Sequence, residues 1–202
     1  AVAQFKQANS DDPVIAVPSG NFGNLTAGLF AKAMGLPIKR FVAATNSNDT
    51  VPRYLDSGSW SPQQTVATMS NAMDVAEPSN WPRVEAIVKA MNWSLEEIEG
   101  VGVSEADTSD SVKALYQQDY LSEPHAAIAA FALNQTMSAD EKGIFLGTAH
   151  PAKFNEVVEQ VLAIELPLPP ALANVVPKTI LSANLDADFD ALKQHLFSTL
   201  AE

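Results

Sequence analysis

Residues 14–35 read VIAVPSGNFGNLTAGLFAKAMG, and the fold turns on them. Val14 to Val17 is a short apolar run behind Asp11-Asp12-Pro13, the pattern of a buried strand. Asn24 to Met34 carries helical spacing, and Gly35-Leu36-Pro37 ends it with a C-cap glycine followed by proline. Ile38 to Ala44 reads as a second strand. Strand, glycine turn, helix, short loop and strand make a βαβ unit, and such units build parallel sheets. The class is therefore α/β.

Working outward, Asn46 to Met91 reads as looser and mostly helical, broken at Trp60-Ser61-Pro62 and from Glu77 to Pro82. Ser94 to Glu99 offers a helical turn or two, and Gly100 to Val103 a weak strand. A helix is expected over Asp107–Gln117, capped by Asp107 or Thr108. Ser122-Glu123-Pro124 opens another, running to about Asn134, since proline is tolerated in a first turn. Gly143 to Leu146 reads as a strand that leads through Gly147-Thr148-Ala149-His150-Pro151 into a helix over Ala152 to Ala163. The stretch 165–177 is proline-rich and irregular, and a terminal helix is expected over 185–201. The whole of 1–202 reads as one incomplete domain. The amino terminus, Ala1 to Phe5, looks like the tail of a helix entered part-way, which suggests a fragment.

Composition removes several function classes. The 202 residues suffice for a real core, and 47% are hydrophobic. The formal charge of -12 argues against a nucleic-acid backbone or an anionic membrane as partner. It leaves room for a small anion held by backbone amides. With no cysteine, disulfides, thiol catalysis and zinc-thiolate sites are excluded. There is no run of 18 apolar residues to span a bilayer. The three histidines, His125, His150 and His195, are far apart and form no HxxxH or HxH pair, so no metal site is expected.

The loop Ser19-Gly20-Asn21-Phe22-Gly23-Asn24 stands where parallel sheets bind ligands, at the carboxyl end of a strand. The first amides of a helix lack internal partners, and with the helix dipole they favour an anion. Glycine lets the backbone approach closely, and asparagine tolerates the left-handed region or caps a helix. Gly20, Asn21, Phe22, Gly23 and Asn24 thus form a candidate phosphate cup. The bland alternative is a tight turn with no ligand. The loop is neither a Walker loop nor GxGxxG.

Three further places belong to the same sheet edge. Thr148 ends a strand and either makes one hydrogen bond to a ligand or caps the helix. Lys153 sits at the unfavourable end of a helix for a cation, either contacting an anion or solvated. Asn48 and Asp49, in Asn46-Ser47-Asn48-Asp49-Thr50, contact a substrate or cap the next helix; Arg53, one turn on, is a candidate for a second anion. His150 is an acid–base candidate or a donor to a nearby carbonyl. His125 reads as a capping or surface residue, and His195 as a surface one.

In this order the segments VPSGNFGNLTAGLFAKAMGLPIKRFVAATNSNDTVPR, SNAMDV, EPSNWPRVE, SEPHAAIA and FLGTAHPAKF resemble threonine synthase. The resemblance covers nearly the whole chain. It implies part of the large domain of a fold-type-II pyridoxal-phosphate enzyme, a parallel-sheet three-layer sandwich. It also implies cytoplasmic conversion of O-phosphohomoserine and water to threonine and phosphate with pyridoxal 5'-phosphate. Gly20 to Asn24 would surround the cofactor phosphate, and Thr148 would sit against the pyridine nitrogen. The Schiff-base lysine of that family lies in a phenylalanine-lysine-aspartate setting that this chain lacks. Phe5-Lys6 is followed by Gln7, and Lys153-Phe154 has the order reversed. The resemblance is thus to the carboxyl-terminal part, with the amino-terminal half as the partner that supplies the lysine and much of the substrate pocket. Three alternatives stay open: another fold-type-II lyase or dehydratase, a non-catalytic anion-binding or interaction module, and a folded proteolytic remnant with no role of its own.

Overall fold

The computed structural model describes residues 1–200, and among these the side chain of Leu200 is left aside. Two compact units divide the chain after Pro167.

The first unit is built on four parallel strands. They are β1 (Val14–Pro18), β2 (Arg40–Thr45), β3 (Ile98–Gly102) and β4 (Gly143–Phe145), in the order β3-β2-β1-β4. Val14 stands beside Arg40 on one side and Gly143 on the other, and Phe41 beside Ile98. The helices are α1 (Val2–Ala8), α2 (Gly23–Ala33), α3 (Thr50–Ser57), α4 (Trp81–Ala90), α5 (Glu105–Tyr116), α6 (Pro124–Thr136) and α7 (Asn155–Leu162).

Alternation along the central strands feeds two cores. Ile15, Val17, Phe41 and Ala43 point to one face and pack with Leu25 and Leu29 of α2 and with Trp81, Val84 and Val88 of α4. Val14, Ala16, Val42 and Ala44 point to the other, against Ile128, Ala129, Ala132 and Leu133 of α6. Strands covered on both faces read as continuous apolar runs, which is why β1 and β2 were legible. Helix, sheet and helix give the three layers expected.

Several boundaries differ from the sequence reading, each for a local reason. α2 starts at Gly23, with Phe22 as the cap residue. At its end Gly35 takes a φ of 96°, and its N–H and that of Leu36 bond back to Lys32 and Ala31 carbonyls. That is the glycine stop expected. β3 begins two residues before the expected Gly100, because Ile98 is the residue that buries. Ser104, not Asp107 or Thr108, caps α5, accepting from the Asp107 N–H. Between α3 and α4 the chain is mostly irregular, apart from one 3-10 turn at Asn71–Met73, so "mostly helical" overstated that region. The helix expected over Ala152 to Ala163 is a 3-10 turn, Pro151–Phe154, running into α7.

The second unit holds a single helical turn, α8 (Pro170–Ala173), inside the stretch expected to be irregular, and the terminal helix α9 (Phe189–Leu200). That helix begins four residues later than the 185 expected, and position 201 lies outside the described residues. No helix among the described residues is long and apolar enough to cross a membrane.

Candidate functional site

β1 delivers its chain to the carboxyl edge of the sheet, where the Ser19 N–H still bonds to the Ala44 carbonyl at 2.8 Å. There the ladder stops. The amides of Gly20 through Leu25 donate to no protein acceptor among the described residues; the next donor is Thr26, to the Phe22 carbonyl at 3.0 Å. Six successive N–H groups without a protein acceptor stand at the start of an eleven-residue helix, the arrangement that suits an anion.

The loop holds its shape through two backbone devices. Phe22 adopts a φ of 62°, the left-handed region that a bulky residue occupies only when its surroundings compel it. The compulsion is its ring, which is buried and meets Trp81 edge-on at 5.4 Å. Gly20 lies so close to the Asn71–Met73 turn that a Cβ there would stand 2.6 Å from the Met73 Cα. A Cβ on Gly23 would meet only Asn80 Nδ2, at 3.6 Å. The glycine requirement therefore falls on Gly20. Neither asparagine caps α2 as the sequence suggested. Asn21 accepts from the Ser79 N–H at 2.7 Å and hydroxyl at 3.0 Å, and Asn24 is exposed without a capping bond.

Thr148, just past β4, shares with this loop a cavity of about 280 Å³. Pro18, Ala72, Met73 and His125 complete its wall. A larger cavity, about 510 Å³, lies between Tyr54, Trp60, Trp81, Glu77 and Glu85. Its acidic rim suits no anion, so donor chemistry and not size singles out the cup. Thr148 is exposed, and it is His150 that caps the following turn, its Nδ1 accepting from the Ala152 N–H at 3.1 Å.

His125 corrects the sequence reading. It is 3% exposed and lines the cup, so it is no surface residue. Glu123, 1% exposed, is the cap of α6, accepting from the N–H groups of His125 at 2.7 Å and Ala126 at 2.8 Å. The same carboxylate also bonds to His125 Nδ1. The imidazole Nε2 is buried and has no partner among the described residues. The pair sits in SEPHAAIA, but nothing in the local pattern tells that α6 lies beneath the β1 loop.

The substrate candidates fall elsewhere. Asn48 is buried, bonding through Nδ2 to the Val66 carbonyl at 2.9 Å and the Asn46 Oδ1 at 3.0 Å. Asp49 is the cap residue of α3 and pairs with Arg53 at 2.8 Å, while Arg53 also donates to the Ser61 carbonyl at 2.9 Å. None of the three lines the cup. Lys153 is exposed, with its ammonium 6.0 Å from the Phe154 ring centre; that ring in turn lies 4.6 Å from His125. Among the described residues no cluster of three His, Asp or Glu side chains is placed to hold a metal.

Comparison with known proteins bears on the same residues. A family model described as "Threonine synthase, C-terminal" matches residues 126–196. The threonine synthase of Haemophilus influenzae is 54% identical over 199 residues, which are 98% of this chain and 47% of that protein. That of Escherichia coli is 53% identical over 194 residues, 96% of this chain and 45% of the other. The crystal structure of the Escherichia coli threonine synthase is similar with a TM-score of 0.93 at 52% identity, covering 98% of this chain and 46% of that one. A threonine synthase from Brucella melitensis, described as PLP-bound, gives 0.82 at 27% identity, with 96% and 47% covered. A threonine deaminase, at 19% identity and a TM-score of 0.54, shares the fold alone. The chain spans about half the length of the curated relatives it matches. It belongs to the threonine synthase family, corresponding over nearly all its length to the carboxyl-terminal part of those enzymes.

Proposed function

We propose that this chain is the carboxyl-terminal part of an enzyme that converts O-phosphohomoserine and water to threonine and phosphate with pyridoxal 5'-phosphate. In this reading it contributes the seat for the cofactor phosphate. The observation that carries it is the run of amides without a protein acceptor in Gly20 to Asn24, residues that line the same cavity as Thr148.

The residues present fit part of the group. Backbone N–H groups of Gly20 to Asn24 would hold the phosphate, and the Thr148 hydroxyl would meet the pyridine nitrogen as a neutral partner. Bound, the cofactor supplies an electron sink for proton removal next to the substrate's amino group. No lysine lines the cup, so the residue that would hold the cofactor covalently belongs to the amino-terminal half. Lys6 is no substitute: it bonds to the Ser10 carbonyl and pairs with Asp12 before β1. The substrate-binding reading narrows to Lys153, an exposed cation one ring away from His125, because Asn48, Asp49 and Arg53 are bound into the scaffold. A soluble, cytoplasmic setting fits this chemistry.

The test has two arms. The chain is titrated with pyridoxal 5'-phosphate and, separately, supplied with O-phosphohomoserine and cofactor. Saturable binding that inorganic phosphate displaces, without release of threonine, is the expected result. Threonine formed by this chain alone would overturn the division of labour, and absence of phosphate-competed binding would overturn the cup.

A further inference from the structure

The cup so described is almost entirely backbone, and a phosphate monoester carries close to two charges. Among the described residues its lining offers no lysine or arginine. The one ionisable side chain in the wall among the described residues is His125. On one side Nδ1 bonds to the buried Glu123 carboxylate; with a carboxylate accepting, Nδ1 is the donor. The Glu123 carboxylate is itself fixed by the two amides it caps. The Phe154 ring lies 4.6 Å from the imidazole, centre to centre, tilted by 49°. Nε2 is left buried and without a partner among the described residues. A buried polar atom without a partner is uncommon and calls for a reason.

We propose that His125 is the side chain through which the cup grips a phosphate monoester. Nε2–H donates to a phosphate oxygen while Glu123 takes the Nδ1–H. The imidazolium then stands between two anions, the caged carboxylate on one side and the phosphate on the other, and supplies the positive charge that the amides lack. Lys153, with its ammonium 6.0 Å from the Phe154 ring centre, does not line the cavity. This inference rests on the cup being a phosphate seat and adds a named side chain to it.

Histidine-selective nitrogen labelling of the whole chain reads Nε2 directly. The ligands are pyridoxal 5'-phosphate, O-phosphohomoserine and, as the control without phosphate, pyridoxal. A phosphate ligand is expected to move the His125 Nε2 resonance to that of a protonated, hydrogen-bonded nitrogen, and pyridoxal to leave it in place. Whichever phosphate ester does so identifies the source of the phosphate. His125→Asn keeps a donor near the Nδ1 position and removes Nε2; it should bind the phosphate ligand about 10- to 100-fold more weakly, the worth of a hydrogen bond to a charged group. His125→Gln, whose amide reaches near the Nε2 position, should recover part of the loss. An unmoved resonance in a wild-type chain that binds the phosphate ligand overturns the proposal, as does full affinity in folded His125→Asn. Should that variant fail to fold, the wild-type resonance decides alone. A wild-type chain that binds neither phosphate ligand removes the cup itself, a different failure from the first.

Discussion

Two turns leave the sheet at the same edge, side by side, and they use their polar groups in opposite ways. After β1, the loop Gly20–Asn24 leaves its amides unspent. After β2, Asn46 and Asn48 spend nearly everything. Asn46 Nδ2 reaches Thr68 Oγ1 and Asp74 Oδ1, both at 2.9 Å, and its Oδ1 accepts from the Asn48 N–H at 3.0 Å. Asn48 Oδ1 accepts from the Val66 N–H at 2.8 Å. Both stretches are rich in asparagine and both stand where ligands bind in such sheets. The difference teaches that residue type marks neither as a site. What distinguishes a seat from a clamp is whether its donors are still free once the chain has folded. The clamp nevertheless serves the seat, because it fixes the segment ending in Met73, and Met73 walls the cup.

The largest effect should come from Gly20→Val. Its Cβ would strike the Met73 backbone, so one of the two segments must shift. We expect loss of measurable phosphate-competed binding together with about 1–3 kcal/mol of stability, the usual cost of overpacking, read by titration and by urea unfolding. Binding retained in this variant would break the account of the cup. Asp74→Ala tests the clamp: stability should fall by about 1–3 kcal/mol, as the buried Asn46 amide and the half-buried Thr68 hydroxyl each lose an acceptor. Binding in the fraction still folded should be nearly unchanged, and a loss as large as for Gly20→Val would erase the contrast between the turns. Gly23→Ala sharpens it from the other side. Its Cβ has room and its φ is not left-handed, so both stability and binding should stay within about 0.5 kcal/mol of wild type.

The smallest effect on binding lies at the opposite end of the sheet. There the Arg40 guanidinium bonds to Glu141 at 2.8 Å, and the Ser138 amide and Lys39 add to it. These partners, Arg40 foremost, hold the Glu141 carboxyl well below the usual carboxylate range. A depressed folded value contributes stability that is present above the unfolded value and is lost as pH falls toward the folded one. Glu141→Gln should therefore lower stability at neutral pH and flatten its decline on acidification below about pH 5, since the carboxylate it replaces is largely buried against Arg40. Phosphate binding should not respond. A response would mean that the cup is sensitive to the far end of the sheet.

How much of this could be read beforehand depends on the distance over which a residue's meaning is fixed. β1, its loop and α2 declare themselves within two dozen residues, because a buried parallel strand, a glycine turn and a helix each have a local pattern. The exact cap did not, since Phe22 is held in its left-handed conformation by Trp81, nearly sixty positions later. His125 was misplaced for the same reason. Its neighbour Glu123 and the proline after it announce a helix start, but only the packing of α6 beneath β1 turns a cap into a wall of the cavity. Asn48, Asp49 and Arg53 show the converse. Their polarity at a sheet edge suggested a ligand, yet their partners are other parts of this chain.

The strand order has a consequence for handling the protein. β4 ends the sheet after three half-buried residues, with β1 on one flank and no strand on the other among the described residues. Its outward carbonyls and amides are a template for a further strand, and exposed sheet edges recruit one from any chain that can supply it. In a concentrated solution of this chain alone, the nearest supply is another copy. Concentration-dependent self-association is therefore the behaviour to watch for, and it sets an upper limit on the concentrations at which the cup can be titrated.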